Sequence, residues 1–506
     1  MDRCHAFSKK KNSSLPEHFV AFHKVKALGV WLSTIKEEAT TLNYEEKKET
    51  ISKTIENWQF RRLTLLGKIV VIKSLLASQL VYIMSPLPTS SEHLKDINNL
   101  LYQFLWDGKR DKIKRTEMIN DYPTGGLKML DIQTFNRALK AKWIQKYLDS
   151  SNKGKWRLFL DSFLVKYNAN LLITGNLNVT DAASLEIDDP FTKELIEIWL
   201  CLNFKRQPSD FSSIPIWYNS LVRIDNKPIY YKNWYKAGIL YRNHLLDENF
   251  HFLTFDAFKE KFSVKINFLQ YQSVVSAVSK MKSICACSQA VTNTVEDLNN
   301  LLASTEFCKL AYKMLIKQIA SIPHKSQSKW LSDCNSQDWR SSYGLAFLCT
   351  RESKLRTFQF KFLHRRIATN CYLFKIGIPS DNLCSFCKER PETVLHMFWE
   401  CIFIQAFWNG IKQWMSKRPC FPNDVFSFQS CLGFVDNASN ILSHHFLLIC
   451  RYHIYWSKLM RLFPSPALCI QNFLTCLEVE RRYALQNGNL EKFSVKWGAF
   501  IREKNL

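Results

Sequence analysis

Glycine and proline are scarce in this chain, at 14 and 15 of 506 residues. Few residues are therefore available to break the chain into turns, and long stretches carry helical spacing instead. No internal repeat at a fixed period and no low-complexity tract is present. No apolar run reaches the length of a membrane-spanning helix, because Arg, Lys or His interrupts even "HHFLLICRYHIYW". The opening "MDRCHAFSKKKNSS" has no apolar core for a signal peptide. These absences lead to the expectation of an intracellular protein, nuclear and/or cytoplasmic, not secreted and without a membrane partner. Acidic residues are also in short supply. The 45 Asp and Glu against 69 Lys and Arg leave a formal charge of +24. Such an excess points to a polyanionic partner, nucleic acid before an anionic membrane surface.

What the chain has in quantity is apolar and aromatic residues, 46% and 14%, enough to bury real cores and to exclude a disordered composition. Its length suggests about three or four domains. In a reducing compartment its 16 cysteines are thiols, so clustered ones are metal ligands before they are disulfides. The expected class is mainly α, with a mixed middle region. In "NYEEKKETISKTIENW", Ile51, Ile55 and Trp58 share a face. "LTLLGKIVVIKSLLASQLVYIM" carries Leu66, Ile69, Val70, Leu76 and Leu80 as an apolar stripe, stopped by "PLP" at 86–88. Thr89 and Glu92 fit a capping box for a helix with Leu94, Ile97, Leu101, Phe104 and Leu105 inward. "DGKRDKIKR" reads as a charged loop. Gly125-Gly126 reads as a turn needing positive φ, and 132–165 as helical again.

The densest chemistry lies in "CSFCKERPETVLHMFWEC". Its spacing is Cys384-x2-Cys387-x8-His396-x4-Cys401. Zinc takes four N or S ligands at tetrahedral corners, and a Cys-x2-Cys turn presents two of them from one knuckle. His396 and Cys401 are five apart, so they share a face only if the helix ends or bends near Trp399. Pro391 suits a first helical turn and Glu392 its N-terminus. All four positions come from protein, which fits a structural zinc. So small a loop has almost no core of its own, and its folding free energy would come largely from metal, on the order of 10–16 kcal/mol apparent. Lys388, Arg390 and Arg365 could offset the negative charge of three thiolates. The pair Cys285–Cys287 has no such partners.

Two basic stretches accompany this cluster. "TRESKLRTFQFKFLHRRIATN" (350–370) turns Leu355, Phe358 and Phe362 inward and is expected to turn Lys354, Lys361, Arg365 and Arg366 outward, toward phosphates. In "WQFRRLTLLGKIVVIK", Arg61, Arg62, Lys68 and Lys73 could grip phosphates, and Trp58 could stack on a base or pack in the core. His364, His396, His444 and His445 are the acid/base candidates if the chain is an enzyme.

With these residues in hand, the chain resembles the part of a non-LTR (LINE-type) retrotransposon reverse transcriptase polyprotein that follows the polymerase palm. "FHKVKALGVWLS" looks like the strand segment before that enzyme's thumb, and "IENWQFRRLTLLGKIVVIKSLLASQLVYIMSPLP" like the thumb helices. "INNLLYQFLWDGKR" with "YPTGGLKMLD" resembles the segment after them. "IPIWYNS" and "IYYKNWYKAGI" look like the intervening region. "KLRTFQFKFLHRRIATN" and the Cys384–Cys401 cluster are similar to the reverse-transcriptase zinc-binding module. The resemblance implies residues 1–40 as the end of a palm-like segment and 41–165 as a thumb-like helical domain. A connector follows at 166–210 and a middle region at 211–334. A basic helix with the zinc-binding module is expected at 335–410, and a C-terminal helical region at 411–506. Polymerisation needs carboxylates that hold two metal ions. In the family two come from an aromatic-x-Asp-Asp box. The Asp-Asp pair here, Asp188-Asp189, follows Glu186 at the aromatic position and lies after the thumb-like region instead of before it. The reading is thus of a frame starting after the catalytic core. It would be a nucleic-acid-binding remnant that carries a structural Zn2+ and has no chemistry of its own. Its partners would be RNA and/or DNA and other parts of the retrotransposon machinery. A domesticated protein-interaction scaffold and an enzyme with an unrecognised hydrolytic site are the alternatives.

Overall fold

Helical spacing becomes helix along most of the chain in the computed structural model. It describes residues 5–6, 20–21, 23–183, 185–202, 214–263, 265–280, 295–333, 338–378, 381–422, 426–434 and 440–504. Cys285 and Cys287 lie outside them. Contacts divide the chain into two units, each drawing on several linear segments. One comprises Met1–Lys53, Leu76–Asn99 and Asp131–Gln318, the other Thr54–Leu75, Leu100–Leu130 and Ile319–Leu506.

In the first unit, strands Lys24–Ala27 and Val30–Ser33 pair antiparallel. Leu28 and Gly29 make the tight turn at φ of 50° and 77°, the left-handed geometry that two-residue hairpins need. Trp31 pins the hairpin to the helix Lys36–Gln59, its backbone N–H donating to Asn43 at 2.9 Å and its indole to Glu46 at 2.8 Å. Of the stretch 166–210 expected to be a connector, residues 203–210 lie outside the described ones, and the described part carries the helices Ala169–Thr174, Val179–Ala183 and Pro190–Cys201. Their Leu172, Ile173, Leu195, Ile196 and Trp199 pack with Ala138, Ile144, Phe307 and Leu315 in one core. A second core gathers Trp217, Trp234, Phe258 and Tyr271 around the middle region. Thr89 does not cap a helix as expected. Ser90 does, accepting from the N–H of Glu92 at 3.2 Å. The Thr89 hydroxyl instead joins Tyr44 and the fully buried Lys140, which also ion-pairs with Glu194.

The second unit has its main core in residues 330–500. Trp330, Phe358, Phe362, Phe398, Trp408, Phe446, Phe473 and Trp497 interlock there. The helices Ser353–Leu363, Ile402–Ser416, Ile441–Met460 and Pro466–Gln486 carry most of it. Gly125 takes the positive φ expected of it, at 83°. Gly126 is required for space: a Cβ there would lie 2.1 Å from the Asn120 carbonyl oxygen.

The stretch Leu65–Met84 departs from expectation twice. Its buried stripe is Leu65, Ile69, Ile72, Leu76 and Leu80, a spacing of three to four that leaves Val70 on the exposed side. The stripe runs on through a wide π turn at Ile72–Leu76 and a tight 3-10 turn at Ala77–Leu80. It is also long and apolar enough to cross a membrane by length and composition, against the reading that no run reaches that length. Leu65, Ile69 and Leu76 are buried within the protein and Lys68 is ion-paired, as in a core helix.

Candidate metal centre

The cysteine knuckle forms because the loop around it closes on itself. Leu383 bridges to Pro391, and the Cys384 N–H donates to the Arg390 carbonyl at 2.7 Å. Lys388 turns the chain at φ 62°. The Phe386 N–H then points at Cys384 Sγ from 3.4 Å, a charge-assisted contact once that sulfur is a thiolate. Pro391 thus sits on a bridge, not in the first helical turn expected of it. The helical turn starts after Thr393, whose hydroxyl accepts from the His396 N–H at 3.0 Å. Glu392 does not serve a helix N-terminus either. It is fully buried and accepts from the N–H groups of Asn370 at 2.8 Å and Ser385 at 2.7 Å. Its charge is met by Lys458, which also donates to the Ala368 carbonyl at 2.6 Å. The loop is therefore bolted to the helix Ile441–Met460.

The five-residue step from His396 to Cys401 is bridged by a π turn, His396–Glu400. In an α-helix, residues five apart point about 140° away from each other. The wider turn, closed by the Cys401 N–H on the His396 carbonyl at 3.0 Å, brings them to one side. Cys401 then starts the helix Ile402–Ser416. Its sulfur accepts from the N–H groups of Phe403 and Ile404, a helix N-terminus that favours negative charge.

The ligand atoms of Cys384, Cys387, His396 and Cys401 all lie within 4.8 Å of one another. Cys384 and Cys401 sulfurs are 3.9 Å apart, and Cys387 Sγ lies 3.3 Å from His396 Nε2. A tetrahedron with Zn–S bonds of about 2.3 Å has S–S edges of about 3.8 Å, so the four side chains fit zinc. His396 Nδ1 faces the Glu400 carboxylate 3.9 Å away, the kind of outer partner that orients a ligating imidazole. Burial pushes the Cys384 thiol up to about 12 and raises that of Cys401. At Cys387 burial acts the same way, but the N–H groups of Glu389 and Arg390, with His396 and Cys384, outweigh it and bring the thiol down to about 6. A bound cation reverses the cost of burial by taking the thiolates as ligands. With four protein ligands the site has no open position, so its chemistry is structural.

The loop is not free-standing, contrary to the expectation drawn from its size. Cys384, Phe386, Met397, Phe398 and Cys401 belong to the unit's main core, so that core supplies folding free energy independently of metal.

The basic residues fall into two groups. Arg61, Arg62, Lys73, Lys354 and Arg366 are exposed. Arg61 lies over the Trp58 ring at 4.5 Å, so Trp58 is partly covered by its own chain. Lys68 is buried and ion-paired with Asp107. Arg365 pairs with Asp333 and stacks on Trp330 at 4.0 Å, so its guanidinium is engaged by its own chain and not turned outward as expected. Lys361 is half-buried, since Thr357, Gln359 and Phe360 of its helix are buried as well. His364, His444 and His445 are all buried. Asp189 caps the helix Pro190–Cys201, accepting from the Thr192 N–H at 2.8 Å, and Asp188 is exposed. Sequence reading missed the bolt between Glu392 and Lys458, because nothing in "RPE" distinguishes a buried carboxylate from a helix-capping one.

Residues 325–408 match the family described as zinc-binding in reverse transcriptase. The matched span contains the Ser353–Leu363 helix and all four metal ligands. Over 141 residues the chain is 28% identical to the Transposon TX1 uncharacterized 149 kDa protein of Xenopus laevis, covering 28% of this chain and 11% of that protein. The chain thus spans far less than two thirds of that relative. Together the two matches support an origin of the C-terminal region in a non-LTR retrotransposon reverse transcriptase.

Proposed function

We propose that this chain binds nucleic acid as part of a retrotransposon reverse transcriptase, holding RNA or template–primer, and that its own residues carry no polymerase chemistry. The reading rests first on the Cys384–Cys401 centre inside a span matching the reverse-transcriptase zinc-binding family. The charge of +24 supports it, as do Arg61, Arg62, Lys73, Lys354 and Arg366, exposed on the same unit as the centre. Phosphate contact of this kind is insensitive to sequence. We place such a protein inside the cell, with other parts of the retrotransposon machinery as partners. The absence of chemistry is supported by the one candidate carboxylate pair, whose Asp189 is spent on capping a helix.

Titrating labelled RNA and DNA across a salt series tests the binding. The log–log slope should steepen by about 0.9 per phosphate neutralised on duplex DNA, or about 0.7 on a single strand. A flat response, or no binding at low salt, defeats the proposal. Primer extension on a primed RNA template with magnesium or manganese should give no product above a blank. Product that disappears on Asp188→Ala with Asp189→Ala would show polymerase chemistry here.

A further inference from the structure

The loop "DGKRDKIKR" (107–115) is mixed in sign by sequence, with Asp107 and Asp111 among its Lys and Arg. Folding commits both acids to other cations. Asp107 is ion-paired with Lys68, itself only 5% exposed. Asp111 is taken by Arg115 Nε at 2.8 Å, and that guanidinium lies on the Tyr102 ring at 4.4 Å. Neither carboxylate is ion-paired with Lys109, Arg110, Lys112 or Lys114, although Asp107 partly offsets Lys112. Three of these are exposed and Lys112 is half-exposed.

The loop is also held in shape. Asp107 and Gly108 take positive φ, 53° and 72°, and the Gly108 N–H returns to the Gln103 carbonyl at 2.8 Å, closing the preceding helix. Ile113 is buried at the loop's centre, and Lys112 Nζ sits 6.0 Å over the Trp106 ring. A third segment joins it, because the helix Leu65–Val71 packs on the helix Ser353–Leu363. Lys361 thereby comes within electrostatic reach of Lys112 and Lys68, with Asp107 as their shared carboxylate. Burial, then repulsion from Lys112 and Lys68, lowers the pKa of Lys361. Burial, then Lys109, does the same at Lys112. An arriving phosphate would relieve both repulsions.

We infer that the 107–115 loop, joined by Lys361, is a phosphate-binding surface for nucleic acid, with Lys109, Arg110, Lys112 and Lys114 as its contacts. This rests on the nucleic-acid reading above and adds the residues that make the contact. Three of the four contacts are Lys, compact point charges, and Arg110 can take a phosphate through paired N–H donors, all carried on an anchored loop, which suits backbone phosphates.

The test uses the full chain, labelled single-stranded RNA, single-stranded DNA and duplex DNA, each over a salt series. One variant carries Lys109→Gln, Arg110→Gln, Lys112→Gln and Lys114→Gln. A charge-matched control carries Lys153→Gln, Lys155→Gln, Lys232→Gln and Lys236→Gln, all exposed in the wild type. The loop variant should lose up to about 2.8 from the slope on single strands or about 3.6 on duplex, while the control loses less than about one. A milder variant, Lys109→Gln with Lys114→Gln, should lose roughly half the loop variant's effect, and stands in if the fourfold variant misfolds. Wild-type binding with an unchanged slope in the loop variants overturns this inference and leaves the nucleic-acid reading intact. Equal losses in loop and control variants overturn it too, in favour of diffuse charge. No binding by the wild type overturns both.

Discussion

Four side chains share one ligand role in unequal surroundings, and substitutions should separate metal binding from packing. Cys387 is partly exposed, whereas Cys384 is fully buried in the core. Cys387→Ser should release the metal with little effect on packing. Cys384→Ser should release it and also place a hydroxyl among apolar side chains, a further loss of about 1–3 kcal/mol. Elemental analysis should find one zinc per chain in wild type and none in either variant. Denaturation midpoints should rank Cys384→Ser below Cys387→Ser. His364 gives a pH dependence. Burial lowers its pKa to about 4, against a weaker opposing hydrogen bond to Gly125, with Arg366 lowering it further. The unfolded chain takes up that proton near pH 6.5, earlier than the folded one. The stabilisation is therefore complete above about pH 6.5 and is lost as pH falls toward 4, up to about 3 kcal/mol. Glu117, 3.6 Å away with its carboxyl raised by burial, pulls the opposite way over part of that window. The difference between wild type and His364→Gln isolates the histidine: the variant's midpoint should fall less between pH 7 and pH 5.

At the scale of elements, the metal loop is positioned by two devices, a π turn and a buried ion pair. The π turn answers a spacing that an α-helix cannot satisfy. The Glu392–Lys458 pair ties the loop to the helix Ile441–Met460. Breaking one partner of such a pair leaves a buried charge uncompensated, typically about 3–5 kcal/mol. Lys458→Met should therefore destabilise the second unit strongly. Lys458→Met with Glu392→Gln should recover much of the loss. Urea unfolding of the single and double variants measures the coupling, and additive losses would show that the pair acts through packing alone.

For the molecule as a whole, removal of the metal should be a local event. The ligand loop shares a core with Trp330, Phe362, Phe446 and Trp497, so chelation should alter near-UV circular dichroism and lower the midpoint while the helical far-UV signal persists. Complete loss of helix on chelation would mean that the metal, not the core, holds the second unit together. The two units also divide the chain in a way that linear segments do not. The basic segments around residues 61–73, 109–115 and 351–366 all belong to the second unit, with the metal centre. Nucleic-acid contact is therefore expected to follow substitutions in that unit.

The sequence by itself determined whatever depends on spacing and short range. The four metal ligands were legible because zinc chemistry fixes residue type and separation within eighteen residues. The helix Ser91–Leu105 with Leu94, Ile97 and Leu101 inward was legible because a 3.6-residue period states its own buried face. The mainly helical class followed from the same signal. The tertiary structure alone decided where charges are spent. Arg365 and Asp333, Lys68 and Asp107, and Glu392 and Lys458 pair across separations of 32, 39 and 66 residues, and no local pattern marks which cation meets which acid. It also decided that the stretch after residue 166 is core, since polar residues on short helices hide the apolar face that packing reveals. A residue's type and spacing set what it can bind. Its burial and distant neighbours set whether it is free to do so.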